Sequence, residues 1–485
     1  MAESPPNILW ICTDQQRWDT IRALGNPHIR TPNIDRLVSE GVSFTRAYCQ
    51  SPICTPSRSS FLTGLYPSSV RNCRNGNERW SEAAPLLPKL LKDAGYDCGL
   101  AGKLHLAGCQ GRVEPRPNDD GYRVFKWSHH SRHEPEWGAD HAYAEWLRSR
   151  NFDPEMVCEA PEEVPPELHQ SSWCADEAIA FIKEKRSGPW LFSFNCFDPH
   201  APFDPPQEYL DRYEPDSLPG PRFQEGDLEA QERLGAIDFQ HPARRPDSFD
   251  ARRIKAAYYA MIELIDHNVG RMLAALEETG QAENTMVVFM SDHGETLGDH
   301  GLLLKGCRFY ESLVRVPLVV RWPRAGARDR QVDDLVELLD LAPTFMEAAG
   351  LPVPERWPGR SLLPALKRDG GPLREKGAVH AEYYKALAPR RLTEESGLAK
   401  QDPGATGNRD IEGSMGTMLF DGRYKLCVYH GHPAGELFDL REDPMECRNL
   451  WDVRAYADLR CELTRKSFDR LADALDLGSP QVCRY

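Results

Sequence analysis

A chain of 485 residues with 59 Lys and Arg against 74 Asp and Glu carries a formal net charge of −15. No concentrated basic face is left for nucleic acid or an anionic membrane, and any anionic substrate must meet a locally basic pocket. The length exceeds the size at which one core usually stops growing, so a large domain with a smaller companion is expected. The 14 cysteines are scattered without a C-x-x-C pair of the zinc kind and read as mostly reduced thiols. Met1-Ala2-Glu3-Ser4-Pro5-Pro6 runs straight into an apolar stretch without a basic leader, and no apolar run reaches bilayer length. A cytoplasmic enzyme acting on a small molecule is expected, and a homo-oligomer is compatible with this composition.

In chain order, apolar β-type runs fall at 7–13, 97–101, 190–196, 285–291 and 316–321, and helical patterns at 33–40, 87–94, 172–185, 251–279 and 335–348. This alternation predicts an α/β fold with a large, mostly parallel sheet flanked by helices. Two polar excursions, 108–136 and 199–246, are long enough to shape a pocket. Composition turns to Arg, Lys, Asp, Gly and Pro at 367–376, which reads as a linker. A catalytic domain over 1–370 is therefore expected, followed by a smaller α+β domain over 371–485, with a hairpin around Asp421-Gly422 and a helix at 454–475.

The stretch Cys54-Thr55-Pro56-Ser57-Arg58 places a cysteine where a helix begins. A buried cysteine is most often a small apolar residue. Here the helix N-terminus favours an anion, and Arg58, one turn on, can face the same spot. Two predicted strands end in acid, at Asp14 and at Asp292-His293-Gly294-Glu295, and ligands of open α/β sheets collect at such ends. Asp14, Asp292 and His293 can thus converge on one ion. Lys103 and His105 follow another strand on one face of extended chain, His200 sits in a proline-fixed loop, and Lys305 follows the second acidic segment. His129, His130 and His133 lie in a polar excursion and read as loop residues rather than a second metal site, and they are candidates for substrate specificity only. His380, Glu382 and Tyr383, at the presumed junction, are candidates for substrate specificity only.

Cys54-Thr55-Pro56-Ser57-Arg58 resembles the sulfatase signature Cys-x-Pro-Ser-Arg, Asp14-Gln15-Gln16 and Ser291 to Glu295 resemble the two metal segments, and 435–450 is similar to the family's C-terminal segment. The resemblance implies an alkaline-phosphatase-like fold and a sulfuric ester hydrolase acting on an aryl, choline-like or carbohydrate sulfate. It implies conversion of Cys54 to formylglycine by a maturation enzyme, and one divalent metal held by Asp14, Cys54, Asp292 and His293. By motif, Asn75, Lys103, His200 and Lys305 contact substrate, Arg58 holds the diol oxygen, and His105 takes the proton when sulfate is eliminated. His200 and Lys305 stabilise or protonate the leaving alkoxide. Many sulfatases carry Asp where this chain has Gln15 and Asn where it has His293. Oxygen ligands suit calcium and an imidazole suits manganese, so both stay open. Phosphonate monoester or phosphodiester hydrolases of the same superfamily are the alternative; they carry hydroxyl-bearing residues where this chain has Lys103 and His105.

Overall fold

A computed structural model describes residues 4–109, 112–130, 141–373, 377–385 and 413–475. His133 lies outside the described residues. The strands are β1 (Asn7–Thr13), β2 (Val42–Phe44), β3 (Ala47–Tyr48), β4 (Asp97–Gly102), β5 (Val124–Trp127), β6 (Trp190–Asn195), β7 (Thr285–Ser291), β8 (Arg315–Val316), β9 (Leu318–Arg321), β10 (Arg330–Val332), β11 (Val336–Glu337), β12 (Val379–Tyr384), β13 (Met415–Phe420), β14 (Tyr424–Tyr429) and β15 (Gly435–Asp439).

Eight strands form the main sheet in the order β10-β2-β9-β7-β1-β6-β4-β5, in which β9 alone runs against its neighbours. The expected large, mostly parallel sheet is present. β1 shows why these residues form a central strand: Ile8, Trp10 and Cys12 point to one buried face and Leu9 and Ile11 to the other. Apolar residues on both faces are what a parallel strand covered by helices requires. Helices Pro32–Glu40, Gln170–Lys183 and Ala251–Glu278 cover the Leu9 face. Helices Cys54–Thr63, Leu87–Asp93 and Leu341–Ala348 cover the other.

The expected helix over 335–348 is shorter than its pattern suggests. Glu337 and Asp340 form a reciprocal capping box, so β11 and a 3₁₀ turn, Leu338–Asp340, occupy the first residues, and the α-helix runs only over Leu341–Ala348. Likewise 316–321 is divided between β8, in a small three-stranded sheet with β3 and β11, and β9 in the main sheet.

The C-terminal strands β12 to β15 form an antiparallel sheet in sequential order. Val379, Ala381, Met418, Phe420, Cys427 and Phe438 on one face join the main core, while Leu419, Leu426 and Leu437 on the other pack with Leu463 of the helix Ala457–Asp473. Among the described residues no helix is long and apolar enough to cross a membrane.

Candidate active site

The four adjacent parallel strands β7, β1, β6 and β4 end along one edge, which brings the residues after them together. Thr13 pairs with Ser291, and Gly102 with Asn195. Asp14, Asp292-His293, Lys103 and the loop carrying His200 therefore leave the sheet side by side. Ligands of open α/β sheets bind at such carboxyl ends of parallel strands. Gly102 permits the close approach of β4 to β6, because a Cβ there would sit 2.0 Å from the Asn195 carbonyl oxygen.

Cys54 is the first residue of the helix Cys54–Thr63, every residue of which is buried. No side chain of the preceding residue caps this helix; instead Asn75 Oδ1 accepts the Thr55 N–H at 2.9 Å. Lys305 Nζ lies 3.0 Å from the Cys54 sulfur, His293 Nε2 3.1 Å and Lys103 Nζ 3.6 Å. The imidazoles of His105 and His200 also reach the thiol. Burial alone would push this thiol up, but Lys103, Lys305 and His293 outweigh it and hold its pKa well below the ordinary value. The pocket is built to hold negative charge.

Arg58, one helical turn on, donates from Nε to Asp292 Oδ2 at 2.8 Å, from Nη2 to Asp14 Oδ2 at 3.3 Å, and from Nη1 to the Lys103 carbonyl at 2.9 Å. Its guanidinium thus spans three strand ends and orients both carboxylates. Lys103 Nζ adds a 2.5 Å bond to Asp14 Oδ2. Burial opposes ionisation of Asp14, yet Lys103, His200 and Lys305 keep its pKa well below the usual carboxylate range.

The donor atoms of Asp14, Cys54, Asp292 and His293 all lie within 4.8 Å of one another and are buried. One ion about 2.0–2.6 Å from each ligand imposes such spacing. His293 Nδ1 donates to the Gly294 carbonyl at 2.9 Å, which leaves Nε2 as the nitrogen turned toward the two carboxylates, 3.8 Å from each. Gly294 is required there, since a Cβ would meet the Ser312 carbonyl oxygen at 1.9 Å. Backbone N–H groups of Gln15 and His293 fix Asp292 Oδ1 at 3.0 and 2.9 Å. This donor set fits a divalent cation.

Gln15 occupies left-handed backbone, φ 70°, and its amide is oriented from both ends. Its Oε1 accepts from Lys305 Nζ at 2.5 Å and its Nε2 donates to Glu295 Oε2. Glu295 also accepts the N–H groups of Leu297 and Leu304 at 3.0 and 2.6 Å, tying the Lys305 segment to the metal segment. Glu114 works in the same way on the other side. Its carboxylate accepts the N–H groups of His105, Leu106 and Ala107 and thereby sets His105 against the thiol. Sequence reasoning missed Glu114, and it gave Glu295 no role. Burial, then the neighbouring Lys103, lowers the His105 pKa to about 4, so the ring is neutral near pH 7.

His200 Nδ1 lies 2.5 Å from the Ala201 carbonyl, and burial followed by Lys305 depresses its pKa. His129 comes edge-on to His105 with ring centroids 4.4 Å apart, and His130 is 5.7 Å from Phe197. These two loop histidines therefore stand beside the site. His380 and Glu382 are buried elsewhere: Glu382 accepts the Ser68 N–H and hydroxyl at 2.9 Å, and Tyr383 donates to Asp238. They hold β12 in place.

The profile of the Sulfatase family matches residues 6–351. An arylsulfatase of Clostridium perfringens is 31% identical over 487 residues, covering 95% of this chain and 93% of its own length. A choline-sulfatase of Rhizobium meliloti is 28% identical over 474 residues, covering 93% and 83%. The crystal structure of a phosphonate monoester hydrolase of Agrobacterium radiobacter superimposes with a TM-score of 0.80 at 27% identity, covering 99% of this chain and 98% of that one. With an anion-holding cysteine, a carboxylate–imidazole metal centre and a family match running from β1 to beyond the second metal segment, this chain belongs to the sulfatase family and is a sulfuric ester hydrolase.

Proposed function

We propose that the enzyme cleaves an aryl, choline-like or carbohydrate sulfate monoester, using formylglycine made from Cys54 by a maturation enzyme. The observation that carries this reading is the ring of Lys103, Lys305, His105, His200 and His293 around the Cys54 sulfur. The hydrated aldehyde would supply one hydroxyl to attack sulfur and a second to expel sulfate by elimination. Asp14, Asp292, His293 and the side chain at position 54 would hold a divalent ion, which would supply Lewis-acid withdrawal of charge from the sulfate. Calcium and manganese both suit carboxylates, and the His293 imidazole favours manganese.

The remaining work belongs to the chain's own side chains. Lys103 and Lys305 neutralise sulfate oxygens from two sides. Arg58 keeps both carboxylates in place and would hold the diol oxygen with its remaining donors. Neutral His105 accepts the proton released when sulfate is eliminated. His200, with Nδ1 donating to the Ala201 carbonyl, presents Nε2 toward the leaving oxygen; as the imidazolium it donates from Nε2 and shares the stabilisation of that oxygen with Lys305. The rings of Phe197, His129 and His130 line that side and suit a flat alcohol such as a phenol.

A second reading, hydrolysis of phosphonate monoesters or phosphodiesters, is favoured by the Ser291 to Glu295 segment. Lys103 and His105 argue for a compact sulfate instead. Comparing kcat/KM of the matured enzyme on 4-nitrophenyl sulfate and on 4-nitrophenyl phenylphosphonate tests the choice. Preference for the phosphonate by orders of magnitude overturns the sulfate reading. Peptide mass spectrometry at position 54 reports the aldehyde, and Cys54→Ala is expected to abolish turnover.

A further inference from the structure

Asp198 is wholly buried two residues before His200 and has no part in the chemistry above. Its Oδ2 accepts from Ser171 Oγ at 2.5 Å and lies 3.3 Å from His169 Nδ1. Its backbone carbonyl accepts the N–H of Asp14 at 3.1 Å. One residue earlier, the Phe197 N–H donates to Gln170 Oε1 at 3.1 Å. Consecutive residues at the start of the helix Gln170–Lys183 thus grip consecutive residues of the loop, and the helix dipole favours a carboxylate at that end.

The grip is transmitted to His200 over a short path. The His200 N–H donates to the Phe197 carbonyl at 3.1 Å, closing a turn, and the two rings lie 4.5 Å apart. Segment 197–200 is therefore suspended between a helix start and the end of β1. One end of the suspension sets a metal ligand and the other the leaving-group imidazole. A buried carboxylate held by few partners is a costly way to close a loop that has only a structural task.

We infer that Asp198 is a positioning residue, which through Ser171 fixes the loop that places His200 at the leaving-group oxygen. The inference rests on the role of His200 proposed above, and the experiment separates the two. Wild type, Asp198→Asn, Ser171→Ala, His200→Ala and the Asp198→Asn/His200→Ala double variant, all matured and metal-loaded, are assayed on aryl sulfates ranging from 4-nitrophenyl to phenyl sulfate. A misplaced acid hurts poor leaving groups most, so Asp198→Asn and Ser171→Ala are expected to lose about tenfold or more in kcat/KM on phenyl sulfate and less than about threefold on 4-nitrophenyl sulfate. The double variant is expected to lose nothing beyond His200→Ala on phenyl sulfate.

In parallel, histidine-labelled enzyme reports the His200 ring by NMR, its signal identified by its absence in His200→Ala. The signal is expected to move in Asp198→Asn, and in Ser171→Ala should the first variant fail to fold. Equal losses across all substrates while His200→Ala remains leaving-group dependent, or an unmoved His200 signal, overturn the inference. A moved signal together with a His200→Ala variant that shows no leaving-group dependence removes His200 from its proposed role and leaves the positioning by Asp198 standing.

Discussion

Arg58 Nε donates to Asp292 Oδ2 across 2.8 Å, and neither side chain is more than 1% exposed. A charge-assisted pair so buried is sensitive to truncation, because the partner left behind has no water to turn to. The same guanidinium holds Asp14 and the Lys103 carbonyl, so a single ammonium cannot replace it. Arg58→Lys is expected to fold, with metal content and kcat/KM both reduced, the latter by about 100-fold or more. Arg58→Ala is expected to destabilise the enzyme by about 3–5 kcal/mol. Metal analysis, steady-state kinetics and thermal melting check these outcomes; a fully active, metal-replete Arg58→Lys enzyme would show that the fork geometry is dispensable.

Gln15 and Glu295 yield a prediction about charge. The Gln15 amide donates to Glu295 Oε2 from one end and accepts from Lys305 at the other. Gln15→Glu converts the donor end into an acceptor facing an acceptor, at a cost of about 1–3 kcal/mol. Its melting temperature and activity are expected to fall, and Glu295→Gln added to it is expected to recover part of both. A double-mutant cycle measures the coupling, and strictly additive effects would count against it.

The main sheet and the residues clustered at its edge were readable because parallel strands buried on both faces leave continuous apolar runs, and the residues just past each run emerge where ligands of such sheets bind. Asp14, Lys103, His200 and Asp292 were all found that way. Short strands such as β2 and β3, with three and two residues, carry no period long enough to register. Glu114 was illegible for a different reason. It lies in a Gly-, Arg- and Pro-rich excursion, and its partners are backbone N–H groups, which have no sequence signature. Asp198 stood in view within the loop motif, but an Asp before Pro reads as a turn residue until the helix start at Ser171 is packed against it.

Lys425 on β14 connects the C-terminal sheet to the rest of the molecule. Its Nζ lies 2.7 Å from Glu311 Oε1 and 2.7 Å from Glu446 Oε1 and donates to the Phe309 carbonyl at 3.0 Å, all in buried surroundings. Lys425→Met removes the cation and leaves two carboxylates facing each other, a loss of about 3–5 kcal/mol. Adding Glu311→Gln and Glu446→Gln is expected to restore much of it. Thermal melting of the single and triple variants checks this, and a triple variant no more stable than the single would assign the loss to packing instead.

Asp266 makes stability depend on pH far from the active site. It lies on the helix Ala251–Glu278 and caps the helix Pro32–Glu40, Oδ1 accepting from the Asn33 and Ile34 N–H groups at 2.9 and 2.7 Å and Oδ2 meeting Asn33 Nδ2 at 2.8 Å. Burial outweighs these donors and raises its pKa to about 7. The folded state therefore keeps a proton that an unfolded Asp releases near pH 4. This stabilisation is complete below about pH 4 and declines as pH rises toward and through 7, by a few kcal/mol at most. Asn at this position cannot ionise, and with the Asn33 amide turned over it can keep the cap bonded. Between pH 5 and pH 8 the melting temperature of Asp266→Asn is expected to rise relative to wild type, overtaking it at the alkaline end. Parallel curves for the two proteins across that range would mean that Asp266 is already ionised in the fold.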